Sequence, residues 1–159
     1  MLWAGFSHGR RTSLVPLFGD SESARGGISS RTIHQLYSQQ LPILMDGGGI
    51  FMHDNARVHT ASIVKALLQA MGLEVMVWPP FSPDLNPIEN LWSVMKREIY
   101  LRHPELETAA DTAYTLSCLV AAAQEAWTSI SVDILESLSA SMVRRVQAVI
   151  DAEGWYTKY

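Results

Sequence analysis

The sequence predicts an α/β domain. Three observations carry that prediction. The chain opens with a hairpin-like pattern, two short apolar runs then alternate with segments of helical periodicity, and the C-terminal third is helical throughout.

Trp3–Ser7 and Ser13–Phe18 are short apolar runs flanking His8-Gly9-Arg10-Arg11. They predict a β-hairpin with a loop of roughly four or five residues. Gly19–Ser30 is rich in Gly and Ser and reads as a loop. Across Thr32–Leu44, residues Ile33, Leu36, Tyr37 and Gln40 fall at helical spacing; Pro42 is expected to disturb the helix end and Gly47-Gly48-Gly49 to stop it. Ile50–His53 predicts a short buried strand running into Asp54-Asn55. Ile63, Val64, Leu67, Leu68 and Met71 line one face of a helix closed by Gly72. Val75–Trp78 predicts a second buried strand, cut off by Pro79-Pro80. A third helix carries Ile88, Leu91, Trp92, Met95 and Ile99 on one stripe. Two further stripes follow, Leu116, Leu119, Val120, Ala123, Trp127 and Ile130, then Leu135, Leu138, Met142, Val146 and Val149, with Arg144 and Arg145 off the second. The tryptophans fall on apolar stripes and are expected in the core.

A chain of 159 residues suits one domain with a sizeable core, and 48% hydrophobic with 18% charged residues belongs to a folded chain rather than a disordered one. No apolar run approaches the ~18 residues that span a bilayer, so no membrane partner is expected. Met1–Gly5 lacks a basic segment leading into a long apolar stretch and does not read as a secretion signal. Cys118, the one cysteine, sits beside Leu119, Val120 and Ala121 and reads as a buried thiol in a reducing compartment. Twelve basic against 16 acidic residues give a net charge of −4, which argues against a strong free-standing nucleic-acid binder. Contact with DNA would have to come from local patches or from other parts of a protein.

Two carboxylates stand where the chain turns from strand toward helix. Asp54 ends the first buried strand within His53-Asp54-Asn55-Ala56-Arg57-Val58-His59-Thr60-Ala61. Glu89 begins the third helix within Trp78-Pro79-Pro80-Phe81-Ser82-Pro83-Asp84-Leu85-Asn86-Pro87-Ile88-Glu89-Asn90-Leu91-Trp92, with 34 residues between it and Asp54. Carboxylates converging from different elements suit hard divalent cations such as Mg²⁺. Paired cations clamp the attacking and leaving oxygens of an in-line phosphoryl transfer. Each residue also has a plain local reading. Asn86-Pro87-Ile88-Glu89 fits a helix start, with Asn as N-cap and Glu as capping-box partner. Asp54-Asn55 fits an Asx-type turn. His53 and His59 lack metal-ligand spacing to a partner and read as structural histidines. On local reading alone the function stays open.

The blocks His53–Ala61 and Trp78–Trp92 resemble the catalytic-domain motifs of the mariner superfamily of transposases, with Phe81 in place of the usual Tyr and Arg57 in place of the common Pro. Leu2–Ser7 resembles that family's second-strand segment. Ser141–Arg145 and Gly154–Tyr159 resemble the carboxyl terminus of fungal members, with Val143 where Pro is usual. The match therefore covers nearly the whole chain. The resemblance implies an RNase H-like mixed sheet with flanking helices, followed by C-terminal helices. On that pattern residues 1–103 form the catalytic core and 104–159 a helical extension of the same domain.

The resemblance further implies an Asp, Asp, Glu triad holding two Mg²⁺ or Mn²⁺ ions. Asp54 would be its second metal ligand and catalytic carboxylate, and Glu89 its third. The implied reaction is hydrolytic cleavage at transposon ends, followed by attack of the freed 3′-hydroxyl on target DNA. Lys96 lies on Glu89's side of the helix, two turns on, and reads as a solvated lysine. The family's first Asp belongs to a strand preceding Trp3–Ser7, and the position of neither Asp20 nor Asp46 matches it. The chain thus reads as lacking the first, central strand and the paired DNA-binding helical domains. Two inner sheet edges would then lack partners. The expectations are a transposase-derived endonuclease and strand transferase that is inactive alone and binds Mg²⁺ weakly. The alternative is a non-catalytic remnant that binds a full-length transposase or DNA and modulates it, and self-association is a further expected partnership. The family implies a nuclear or cytoplasmic location.

Overall fold

The computed structural model describes residues 1–23, 26–46, 48–79 and 82–159. In chain order its elements are β1 (Leu2–Trp3), β2 (Phe6–Ser7), β3 (Arg10–Arg11), β4 (Val15–Pro16), α1 (Ser30–Leu44), β5 (Ile50–Phe51), α2 (Ser62–Ala70), β6 (Glu74–Val75), α3 (Ile88–Arg102), α4 (Ala113–Ser129), α5 (Val132–Ala140) and α6 (Met142–Asp151). Short 3₁₀ turns occupy Pro83–Leu85 and Pro104–Glu107. Two compact units result: Met1–Trp3 with Pro16–Ser82, and Ala4–Val15 with Pro83–Tyr159. Among the described residues no helix is long and apolar enough to cross a membrane.

In the first unit α1 starts where Ser29 accepts a hydrogen bond from the Thr32 amide at 3.3 Å, an N-cap. Its buried stripe is Ile33, Leu36, Tyr37, Leu41 and Leu44. Pro42 does not end the helix, which runs on to Leu44 before the Met45 amide bonds to Leu41 O at 2.8 Å. A proline this late removes only one intrahelical bond. Gly47 lies outside the described residues; Gly48 and Gly49 follow at φ 83° and 126°.

β5 and β6 pair in parallel, Ile50 opposite Glu74 and Phe51 opposite Val75, with α2 as the crossover. The two strands are shorter and less buried than the apolar runs predict. Phe51 is buried but Ile50 is 52% exposed, because alternate strand residues face opposite ways and one face of this ladder is covered. The Met76 amide makes a bond to Phe51 O at 2.9 Å, and beyond it Val77 is open to solvent. Pro80, read as a strand breaker, lies outside the described residues, as does Phe81. α2 buries Val64 and Leu68, leaves Ile63 exposed, and ends in a Schellman motif. There Gly72, at φ 67°, bonds to Gln69 O and Leu73 to Leu68 O.

In the second unit β2 and β3 form the expected hairpin with a tighter turn. Phe6 pairs with Arg11 and Ser7 with Arg10, so only His8 and Gly9 are left to turn the chain. Gly9 takes φ 74°, which lets two residues suffice, and Arg10 and Arg11 become strand residues. The hairpin serves α4. Trp127 Nε1 donates to Thr12 O at 2.8 Å, Gln124 donates to Leu14 O at 3.1 Å, and the Arg11 guanidinium donates to the Thr128 and Ile130 carbonyls at the end of α4. α3 buries Leu91, Met95 and Ile99, and Trp92 packs on Trp127 with ring centroids 5.5 Å apart.

The C-terminal helices depart from the predicted stripes. On α4 the buried residues are Ala122, Ala123, Ala126 and Trp127, while Leu116 is exposed. Packing is confined to the half of α4 that meets the hairpin, so Cys118 is half-buried rather than buried. The stripe from Leu135 to Val149 is broken into α5 and α6 at Ser141. On α6 the burial is the reverse of the expectation, with Arg145 only 2% exposed and Val146 exposed. Trp155 is also exposed, unlike the core tryptophan Trp127.

Candidate active site

Asp54 follows the carboxyl end of β5, where parallel α/β strands present their functional groups. Its Oδ1 accepts the Ala56 amide at 3.1 Å, so the Asx-type turn is present. The carboxylate is nonetheless 62% exposed and meets no lysine or arginine among the described residues. Asn55 Nδ2 donates to Trp78 O at 2.8 Å, tying the loop after β5 to the segment after β6.

His59 Nε2 lies 3.7 Å from Asp54 Oδ1, and His59 Nδ1 lies 2.7 Å from the Tyr37 hydroxyl. The Tyr37 and His59 rings stack at 5.7 Å and 12°, and His53 lies 5.5 Å from His59. Burial, and secondarily the Asp54 charge, holds the Tyr37 pKa well above a phenol's usual value. The hydroxyl therefore keeps its proton. Burial also lowers the His59 pKa, against the pull of Asp54 and with the help of His53, so the neutral ring is favoured. If Nδ1 carried the proton, the Nε2 lone pair would face the carboxylate. The consistent arrangement has Tyr37 O–H donating to Nδ1 and Nε2–H directed at Asp54.

Glu89 occupies the first turn of α3, in the second unit. The capping-box reading requires its carboxylate to receive the Asn86 amide, but that amide bonds to Pro83 O at 2.9 Å. Asn86 retains part of a cap, its Oδ1 accepting the Ile88 amide at 3.4 Å. The Glu89 side chain is exposed and accepts no hydrogen bond from a described residue. Lys96 is exposed as well. Among the described residues no three His, Cys, Asp or Glu side chains gather into a ligand cluster.

Residues 26–110, more than half of the chain, match the family model of the DDE superfamily endonucleases. The chain belongs to this superfamily, in its mariner transposase branch. The Tc1 transposase of Caenorhabditis elegans is 36% identical over 112 residues, covering 70% of this chain and 38% of that protein. The chain thus spans well under half the length of that relative. The Mos1 transposase catalytic domain with raltegravir and Mg is 19% identical, with a TM-score of 0.69 over 99% of this chain and 84% of that one. The Mos1 paired-end complex with the left transposon end gives a TM-score of 0.72 at 19% identity, over 99% of this chain and 44% of that one. The fold is that of the RNase H-like Mos1 catalytic domain.

Two features of this DDE domain escaped the sequence reading. His59 is satisfied by Tyr37, as a structural histidine is, yet its second nitrogen faces Asp54. The signal was available in the spacing of His59 from Asp54, but the partner on α1 was not. Arg145 lies off the apolar stripe of the sequence, and it is one of the most buried polar side chains among the described residues.

Proposed function

We propose that this chain is the metal-dependent endonuclease and strand-transfer domain of a transposase, acting on transposon ends and target DNA, with Asp54 and Glu89 as metal ligands. The observation that carries the reading is the state of the two carboxylates. Both stand in sequence blocks that resemble the family's catalytic motifs, both are exposed, and neither is neutralised by a lysine or arginine among the described residues. Hard oxygen donors of this kind fit Mg²⁺ or Mn²⁺. When bound, such cations supply the positive charge that in-line phosphoryl transfer needs at the attacking and leaving oxygens.

The remaining work falls to the chain. The Asx turn holds Asp54 Oδ1 toward Ala56 while Oδ2 stays available. His59, oriented by Tyr37, faces the same Oδ1 at 3.7 Å. Asn55 keeps the loop against Trp78 O. Glu89 is presented by a helix start in which Asn86 serves the backbone and leaves the glutamate to a ligand.

Two carried-over ligands leave more coordination sites to water than three, so the 159-residue polypeptide by itself is expected to bind Mg²⁺ weakly. The test is nicking of labelled DNA with Mn²⁺. The polypeptide alone is expected to leave the DNA intact, since a metal misplaced by about 1 Å already costs roughly a hundredfold in rate. Fused behind a family-like strand ending in Asp, it should nick, and Glu89→Gln should abolish the nicking. Cleavage by the unmodified polypeptide that survives both Asp54→Asn and Glu89→Gln would overturn the assignment.

A further inference from the structure

Arg145, on α6, is 2% exposed and spends its guanidinium on three different segments. Nε donates to Ser141 Oγ at 2.9 Å, Nη1 to Asp84 O at 2.6 Å and Nη2 to Asn90 Oδ1 at 2.5 Å. The Tyr159 ring covers the guanidinium, 4.8 Å from its carbon. Thr157 donates to Asp84 Oδ2 at 3.0 Å, so the terminal segment grips the same 3₁₀ turn from a second direction. A buried guanidinium is tolerated only when its donors are satisfied, and its planar fork fixes partners in direction as well as distance.

The partners of that fork bracket Glu89. Asp84 lies in the turn that leads into α3, and Asn90 is the next residue along the helix. The first turn of α3 is otherwise weakly held. Its cap has no side-chain bond of the usual kind, and the Glu89 and Asn90 amides make 3.2 Å bonds to Asn86 O and Pro87 O. Leu85 and Leu91 bury apolar surface there, but apolar contact does not set direction.

We propose that Arg145, with Thr157 and Tyr159, forms a clasp that positions Glu89 by fixing the turn before it and the residue after it. The proposal rests on the reading of Glu89 as a metal ligand. Arg145 touches no reacting group; it is a positioning residue. It also accounts for the break between α5 and α6. Ser141 ends one helix, begins the next and receives Arg145 Nε, which turns the arginine inward where a continuous stripe would have placed Val146.

The test uses the full chain with Arg145→Gln, Arg145→Lys and a deletion of Thr157–Tyr159. Amide hydrogen exchange is read by residue, together with the broadening of amide signals by added Mn²⁺ alone. Exchange across residues 84–91 should rise about tenfold or more in Arg145→Gln, the scale of a lost charge-assisted hydrogen bond, and several-fold in the deletion. Arg145→Lys should not restore protection, because an ammonium cannot span both partners. Mn²⁺ broadening near Glu89 should fall in each variant while broadening near Asp54 persists. Unchanged exchange at 84–91 in the folded deletion chain overturns the clasp, even if Arg145→Gln fails to fold. An equal rise across α4 and α5 marks general loosening and also overturns it. If exchange rises locally but the parent chain's broadening near Glu89 is indifferent to Glu89→Gln, the ligand reading of Glu89 fails. The positioning role then falls with it, while the clasp stands as a structural contact.

Discussion

Replacing Tyr37 by Phe removes one oxygen from the first unit and little else. The ring is 1% exposed and would keep its contacts with Trp3, Phe51 and His59, at centroid distances of 5.9, 5.3 and 5.7 Å. What disappears is the 2.7 Å bond to His59 Nδ1. The His59 side chain is only 13% exposed, so Nδ1, against the new phenyl ring, is left without its partner. An unsatisfied buried acceptor costs about 1–3 kcal/mol, and that is the expected loss of stability. It should appear as a lower urea midpoint with an unchanged slope. A second consequence is specific to the Tyr37–His59–Asp54 arrangement. Without Tyr37 O–H only the Asp54 carboxylate, 3.7 Å away and beyond hydrogen-bond distance, favours the proton on Nε2, and ¹⁵N NMR of the imidazole should change from one tautomer to a mixture. The Asp54 carboxylate would then lose a fixed neighbour. A stability change below about 0.5 kcal/mol, with the Nε2–H tautomer intact, would refute the reasoning, because a bond that short cannot then be what orients the ring.

Three other perturbations test different parts of the structure. Trp127→Phe should cost about 2–4 kcal/mol, read as a lower urea midpoint, since a 1% exposed ring shrinks and Thr12 O loses its 2.8 Å donor. The pH dependence follows from His59, whose folded pKa lies below its ordinary value of 6.5 through burial. Between the folded and ordinary values the unfolded chain binds more protons, so stability is full above 6.5 and falls as pH drops through it. The fall ends once folded His59 is protonated too; urea midpoints across this range should show the slope, and His59→Gln should reduce it. With a net charge of −4 the chain should bind DNA weakly and lose that binding as salt rises, and titration showing tight, salt-resistant binding would contradict this.

Periodicity located the helices because a buried face recurs every three or four residues: Ile33, Leu36 and Tyr37 on α1, and Leu91, Met95 and Ile99 on α3, are all buried, whereas Gln40 at the same spacing is half-buried and Leu41 takes the buried place. It was less informative where burial depends on what lies opposite. Leu116 has helical spacing but no partner in the half of α4 that extends beyond the hairpin, and Ile50 is strand-like but faces outward. The hairpin turn is tighter than the sequence suggests, because Arg10 and Arg11 look like loop residues but pair as strand. Gly9 makes a two-residue turn possible, and Arg11 has the carbonyls of α4 to meet. No local pattern could reveal Arg145. Its partners are 55 and 61 residues away, and a charged side chain between apolar positions ordinarily marks a solvated face.

The two candidate carboxylates were each legible in two ways, as backbone hardware or as ligands, and the structure treats them differently. At Asp54 the two readings coexist, because a carboxylate has two oxygens. Oδ1 closes the Asx turn with Ala56, and that bond restrains the group without burying it. At Glu89 they compete, because a capping-box glutamate must turn its carboxylate back onto the Asn86 amide. Here Pro83 O takes that amide through the 3₁₀ turn, and Asn86 Oδ1 serves Ile88. The motif Ser82-Pro83-Asp84-Leu85-Asn86-Pro87-Ile88-Glu89 therefore reads physically as a helix start built to do without its glutamate. Pro83 and Pro87 preset the turns, Asn86 serves the backbone, and Asp84 is gripped from the carboxyl terminus by Thr157. Each other polar residue of the segment has a structural partner, and the one side chain left over is the acid at position 89.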